Sequence, residues 1–492
     1  MYPWKTVITI NRSRKTSIYL QIVNAIIKEI LEGRIQPGQK LPGTRAISNI
    51  LEVNRKTMVM AYDELMAQGW LVLSPSHGSF ISNSLPLLKY QKLSQGINGL
   101  KSQKPVTGFK VVSKFPTIHQ AMPSSELIEI NDGSPDPRLA PLDDLMKRYR
   151  RIIADSRNKN LLNYSEVIGE KMLRSQLSNY LRETRGLVCT EEEIFITRGS
   201  QMAIYLLFNT LINSGDNIVI GDTSYPSADL TIRISGGNLV RIPVDEKGIN
   251  VDQIEKLCKN KKLRAVYITP HHHFPTTVTL SAERRIKLVK LAQKYKFAII
   301  EDDYDYDFHY SSSPILPLAS FDTDGLVIYT GSFSKLLAPS LRVGYIVAPK
   351  NLIAELVKLR SLVDRQGDSI LERAIAEMIN EGEMARHLKK AVRVYKSRRD
   401  HFCNELSKYM GDKIKFKIPD GGMAVWVNFA KNIPLVKLSK LLLKENIYLN
   451  VDFEFIKRLN STRLGFASLT EDEASLYLSK MAGCLDKLSV KV

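Results

Sequence analysis

Cysteine is scarce. Cys189, Cys258, Cys403 and Cys484 are scattered over 492 positions with no CxxC pair. That spacing argues against a disulfide framework and a zinc site, and it fits a reducing compartment. Long apolar runs are missing too. No stretch approaches the roughly 20 consecutive apolar residues that span a bilayer, and the opening MYPWKTVITINRSRK lacks the apolar core of a secretion signal. A soluble, cytoplasmic chain without a membrane partner is expected. Acidic residues are in deficit: 51 Asp and Glu face 70 Lys and Arg, a formal net charge of +19. An excess of that size fits either a lysine-rich soluble surface or a polyanionic partner, and its placement has to decide. The length is too great for one core and implies about two to four domains.

The first 83 residues organise themselves around short helices. TSIYLQIVNAIIKEILEG sets Ile18, Ile22, Ile26 and Ile30 four apart with Val23, Ile27 and Leu31 beside them, an amphipathic helix that Gly33 ends. IQPGQKLPG is a turn region, and TRAISNILEV follows as a short helix with Thr44 as its expected N-cap. NRKTMVMAYDELMAQG is the next helix, capped by Asn54 and stopped by Gly69. WLVLSPSHGSFIS reads as two short strands around a turn at Pro75–Gly78. Helix, short helix, turn, helix and hairpin are the outline of a winged helix-turn-helix, assigned to residues 1–83. This stretch carries ten Lys and Arg against five Asp and Glu.

In such a unit the second helix of the pair enters the major groove of double-stranded DNA by its N-terminal end. That end holds Asn54, Arg55, Lys56 and Thr57, able to bond bases or phosphates. Arg45 starts the preceding helix, and His77, Gly78 and Ser79 form the wing tip, where Gly78 permits close backbone approach. Met58, Tyr62, Leu65 and Met66 are spaced for a core. The stretches PGQKLPGTRAIS, VNRKTMVMAYDELMAQGWL and HGSFI resemble the GntR-type winged helix in order and spacing. Gly43 stands where that family usually has Ser, which is expected to cost one phosphate contact. Residues 84–125 hold six lysines and no acid, the composition of a linker.

From residue 126 the pattern changes. Continuous apolar strands at 217–220, 264–269, 297–300 and 325–329 alternate with helical stretches, which implies a parallel sheet covered on both faces. One segment on this frame, YTGSFSKLLAPSLRVGY, sets Lys335 among hydroxyls with Arg342 seven places on. A lysine that does chemistry needs a carbonyl partner, and pyridoxal phosphate (PLP) makes further demands that the chain can meet. Ser332, Ser334 and Arg342 suit its phosphate, as does the strand-to-helix passage through Gly199, Ser200 and Gln201. FAII runs into EDDYDYDF, which places Asp302 and Tyr304 at a strand's C-terminal edge, for the ring nitrogen and the phenolic oxygen. Tyr225 offers a stacking ring. Each signal is common alone; together, in this order, they carry weight.

These stretches, with LNYSEVIGEKMLRSQLSNYLRETRGL, GGMAVWV and STRLGFASL, resemble a fold-type I PLP enzyme of the class I/II aminotransferase kind over residues 126–492. The resemblance implies a small C-terminal α+β subdomain from about 360. It makes Lys335 the Schiff-base lysine, pairs Asp302 with the pyridine nitrogen and brings Tyr304 to the phenolic oxygen. Tyr225 would stack on the ring. Ser200, Gln201, Ser332 and Arg342 would surround the phosphate, and Arg463 would pair with an amino acid's carboxylate. Joined to a GntR-type head, the whole chain resembles the MocR/GabR transcription regulators. That implies a homodimer with swapped reading heads and an amino acid or amine effector sensed by exchange of the Schiff base. The rival is a working aminotransferase with a DNA-binding head. HHHFPTT departs from the family's HQ[FY]PTG at Thr277, which replaces Gly. His272 or His273 is expected near the cofactor. The run His271–His273 is not expected to bind a metal, because consecutive residues of an extended segment alternate faces. Ser227 replaces an Arg that some members carry, so a second carboxylate clamp is not expected there.

Overall fold

The computed structural model describes residues 2–14, 16–85, 107, 109–111, 127–310, 315–451 and 454–489. The chain divides into two compact units, Met1–Val112 and Ser113–Val492. Most of the expected linker over 84–125 lies outside the described residues. Among the described residues, no helix is long and apolar enough to cross a membrane.

The smaller unit holds α1 (Trp4–Val7), α2 (Ile18–Leu31), α3 (Thr44–Leu51) and α4 (Arg55–Ala67), followed by the antiparallel hairpin β1 (Leu71–Ser74) and β2 (Gly78–Ile81). The four-residue spacing in α2 turns Ile22, Ile26 and Ile30 onto Ile47 and Leu51 of α3 and Met58, Tyr62 and Leu65 of α4. The Asn54 side chain accepts the Lys56 N–H at 2.9 Å and starts α4. Gly33 and Gly69 adopt left-handed φ values of 73° and 78° just past the helices they end. The cap of α3 differs from expectation. Gly43 caps it, its carbonyl accepting the Ile47 N–H at 3.0 Å, and Thr44 is already helical. The short helix α1 was not anticipated; it buries Trp4 in the same core.

The larger unit opens with β3 (Ile128–Ile130), α5 (Leu142–Ala154) and α6 (Lys171–Arg185). Its sheet is then laid down by β4 (Ile194–Thr197), α7 (Ser200–Leu211), β5 (Asn217–Gly221), α8 (Pro226–Ile234) and β6 (Asn238–Ile242). The small hairpin β7 (Val244–Asp245) and β8 (Gly248–Ile249) leads to α9 (Val251–Asn260), β9 (Ala265–Ile268), α10 (Ala282–Tyr295) and β10 (Ala298–Asp303). Next come β11 (Val327–Ser332) and β12 (Gly344–Val347). The seven strands are ordered β4-β12-β11-β10-β9-β5-β6. Ile218 and Ile220 pack beneath α7 and α8, while Val219 between them packs with α9 and α10 on the other face. This alternation is why the strands are apolar throughout.

The sheet is mixed rather than wholly parallel. Strand β12 runs antiparallel to β11 and β4. Only residues 333–343 join β11 to β12, too few for the crossover that a parallel strand needs.

The remaining elements are α11 (Lys350–Val363), α12 (Ser369–Asn380), α13 (Glu383–Met410), β13 (Ile414–Phe416), β14 (Ala424–Phe429), α14 (Leu435–Lys444), β15 (Ile447–Leu449), α15 (Glu454–Leu459), β16 (Ser461–Gly465) and α16 (Glu471–Ser489). Strands β13, β14 and β16 form an antiparallel sheet. Strand β15 pairs in parallel with β3, so the region expected to begin near 360 also recruits residues 128–130.

Thr277 adopts φ 62°, a left-handed conformation that suits glycine and strains a β-branched side chain. Thr277→Gly should raise stability by about 0.5–1 kcal/mol, the released strain exceeding glycine's entropic cost. A higher urea midpoint for the variant would bear this out; a lower one would show that Thr277 makes a compensating contact.

Candidate functional site

The C-terminal ends of β4, β10 and β11 face one cavity of about 1040 Å3, at the upper end of the roughly 300–1,000 Å3 usual for small-molecule sites. Lys335, Asp302, Tyr304, Tyr225, Ser200 and Arg463 line it. Six side chains singled out from the sequence, drawn from positions 200 to 463, thus line one cavity.

Asp302 sits near the end of β10, 4% exposed. It accepts the Tyr267 hydroxyl at 2.7 Å and the Thr330 hydroxyl at 3.1 Å. Both donors are neutral. Burial pushes its carboxyl up to about 6, held back by those two hydrogen bonds. Lys335 lies in the turn after β11 and donates to the Gly133 carbonyl at 2.6 Å. Burial lowers its pKa, with nearby Asp132 opposing and Arg463 assisting. A depressed ammonium is the state a nucleophilic lysine needs.

Arg463 on β16 donates to the Tyr304 hydroxyl at 3.1 Å and stacks on Phe274, 5.0 Å from the ring centroid. Its buried Nε has no hydrogen-bond partner among the described residues. Tyr304 donates to the His272 carbonyl at 2.7 Å. Tyr225 caps α8 and meets Phe274 edge-on, with ring centroids 5.5 Å apart. Gly199 caps α7 with φ 77°. A Cβ there would lie 2.6 Å from the Arg342 guanidinium, so the close approach of arginine and helix start requires glycine. Arg342 donates to the Arg198 carbonyl at 3.1 Å and to the Ser334 hydroxyl at 3.4 Å. The Ser332 hydroxyl accepts the Ser334 N–H at 3.1 Å.

Gln201, Ser332, Arg342 and His272 are not among the cavity's lining residues. Ser332 instead shares a small adjoining pocket with Lys335. The three histidines diverge. His271 donates to the Ile315 carbonyl at 2.6 Å, His272 pairs with Asp305 at 2.8 Å, and His273 donates to the Thr223 carbonyl at 2.9 Å. His272 therefore reaches the site through its backbone carbonyl while its ring turns away. No three His, Cys, Asp or Glu among the described residues could hold a metal ion.

Three contributors escaped the sequence reading. Tyr267 and Thr330 flank Asp302 from the neighbouring strands; the register pairs Thr330 with Asp302 directly. A hydroxyl within an apolar strand was the available signal for each. Asp132 lines the cavity from the loop after β3, and no local pattern marks it. On the smaller unit, Arg45, Asn54, Arg55, Lys56 and Gly78 are exposed and Thr57 is half-buried. Lys40, also exposed, lies against the wing at Gly78.

Residues 128–479 match the family model "Aminotransferase class I and II". The chain belongs to the aminotransferase class I and II family. Residues 18–81 match "Bacterial regulatory proteins, gntR family", so a GntR-type head is joined to the aminotransferase-family unit. This is the architecture of the MocR-type regulators. The chain is 27% identical to the probable rhizopine catabolism regulatory protein MocR of Rhizobium meliloti, covering 86% of this chain and 84% of that protein. It is 28% identical to the pyridoxine biosynthesis transcriptional regulator PdxR of Corynebacterium glutamicum, over 80% and 79%. Among solved structures, the multiple substrate aminotransferase of Thermococcus profundus superposes with a TM-score of 0.69 at 27% identity, covering 75% of this chain and 93% of that one.

The family's cofactor is PLP, and the residues fit it. A buried carboxylate without a cation suits a protonated ring nitrogen. The glycine-started helix with Arg342 against it suits a phosphate, and Lys335 suits an aldehyde.

The raised pKa of Asp302 makes a test in the cofactor-free protein. A carboxyl whose folded pKa exceeds its unfolded 3.8 imposes no penalty below that value; the penalty grows up to about 6 and is full above it. Asp302→Asn should therefore be more stable than the parent at pH 8, with the advantage fading towards pH 4, by thermal melts across that range. The same variant should bind PLP more weakly. An advantage that does not change with pH would show that Asp302 carries no buried charge.

Proposed function

We propose that this protein is a PLP-dependent transcriptional regulator that senses an amino compound. The observation that carries this reading is one chain holding both a basic winged helix-turn-helix and a cavity lined by Lys335, Asp302, Tyr304, Tyr225, Ser200 and Arg463. Arg45, Asn54, Arg55, Lys56, Thr57 and Gly78 would contact an operator duplex. Lys335, Asp302, Tyr304 and Tyr225 would hold the cofactor ring; Ser200, Gln201, Ser332 and Arg342 would hold its phosphate. Bound PLP supplies an aldehyde and an electron-withdrawing ring for amine chemistry. The chain's own part is to orient the effector. Arg463 offers its unpartnered Nε to a carboxylate, and Phe274 shields that pair from water. Lys335, its ammonium disfavoured by burial, would be the neutral amine that holds the aldehyde.

We read the active form as a cytoplasmic homodimer with swapped heads, because helix-turn-helix units engage two half-sites through dimers. Effector binding would then shift how the two heads sit on DNA. A coupling of about 1–3 kcal/mol changes affinity roughly 5- to 150-fold, enough to switch occupancy.

A second reading, an aminotransferase that also binds DNA, is favoured by the intact Lys335, Asp302 and Arg463 set. The chain is also 29% identical to aromatic-amino-acid aminotransferase 1 of Thermococcus litoralis, over 81% of its length.

Two measurements decide. With PLP added, the parent protein should show the visible absorbance of a protein-bound Schiff base and Lys335→Ala should not. An amino acid that shifts this absorbance should also change operator affinity within the range above. Absorbance without any change in DNA binding would sink the sensor reading. Steady turnover with a keto-acid acceptor would support the enzyme instead.

A further inference from the structure

The exposed face of α4 changes character turn by turn. Its first turn presents Arg55 and Lys56, its second Val59 and Met60, and its third Asp63, all exposed. The buried face holds Met58, Ala61, Tyr62 and Leu65. The Tyr62 hydroxyl donates to the Pro42 carbonyl at 2.7 Å, which fixes the helix's rotation against the segment leading into α3. Val59 is 38% exposed and Met60 52%. Neither side chain belongs to the unit's core cluster.

We propose that Val59 and Met60 read thymine methyl groups in the major groove. This inference rests on the DNA-binding reading of the smaller unit and adds what that unit recognises. Neither side chain can bond a phosphate or replace a hydrogen bond on a base edge. Facing guanine, adenine or cytosine, they would strip water from donors and acceptors and return nothing. Thymine alone among the four bases presents an apolar group, its C5 methyl, in the major groove. The flanking charges set the register. Arg55 and Lys56 draw the start of α4 to the duplex, while Asp63 keeps the third turn away from phosphate. The second turn is then the part left over base edges. On α4 itself, the sequence points only to the cap Asn54 and to Arg55, Lys56 and Thr57 of the first turn.

The test uses the full-length protein and a duplex that it enriches from a random-sequence pool. Each thymine is replaced singly by uracil, which lacks only the methyl. We expect about one or two positions per half-site where uracil weakens binding about fourfold, the effect of one buried methyl-sized group. In Val59→Ala/Met60→Ala that difference should vanish, with folding intact because both residues are exposed. Arg55→Ala should weaken binding to both duplexes and keep the difference. Equal affinity for every uracil duplex would overturn the proposal. So would thymine preference that survives in Val59→Ala/Met60→Ala. If that variant instead loses self-association in sedimentation, the face is a protein contact and the proposal falls. Failure to enrich any duplex would remove the DNA-binding reading itself, a result distinct from these.

Discussion

A carboxylate buried without a cation is the constraint on which the site turns. Among the described residues, Asp302 is held by the hydroxyls of Tyr267 and Thr330 alone. Removing a carboxylate from water costs several kcal/mol unless a positive charge answers it. The fold meets part of that cost with two aimed hydrogen bonds and leaves the remainder for a cationic ligand atom. Strand register does the aiming. Strands β9, β10 and β11 run parallel with Asp302 opposite Thr330, so both donors converge on one carboxyl at the open end of the sheet.

The opposite wall depends on a second sheet. Arg463 comes from β16, paired in register with Trp426 of β14, and reaches Tyr304 and Phe274 from there. The segment 271–277 packs between the two sheets. Its three histidines each tie a different neighbour: the Ile315 carbonyl, Asp305, and the loop at Thr223. Burial pushes His273 down to about 4, so it is a neutral donor at ordinary pH. These rings act as struts, and the left-handed Thr277 closes the turn that carries them.

The two units solve different problems. The smaller one packs four helices and a hairpin around one core and leaves Val59 and Met60 of α4 exposed. The larger one buries the charged groups of Asp302 and Arg463 and half-buries Lys335, a setting that shifts pKa values.

Much of this was legible in the residue order. Four-residue isoleucine spacing determined α2; Asn54 and Gly69 determined the ends of α4; apolar runs determined the central strands. The small-residue setting of Lys335 and the acids following FAII marked the site, because caps, periodicity and strand ends are short-range effects. Other features belonged to the tertiary structure alone. The antiparallel course of β12 followed from the short connection before it. The pairing of 128–130 with 447–449 joins segments more than 300 positions apart. The divergence of the histidines and the arrival of Asp132 beside Lys335 were equally hidden. Each depends on which distant backbone group or charge lies opposite, and that is decided only when the sheets pack.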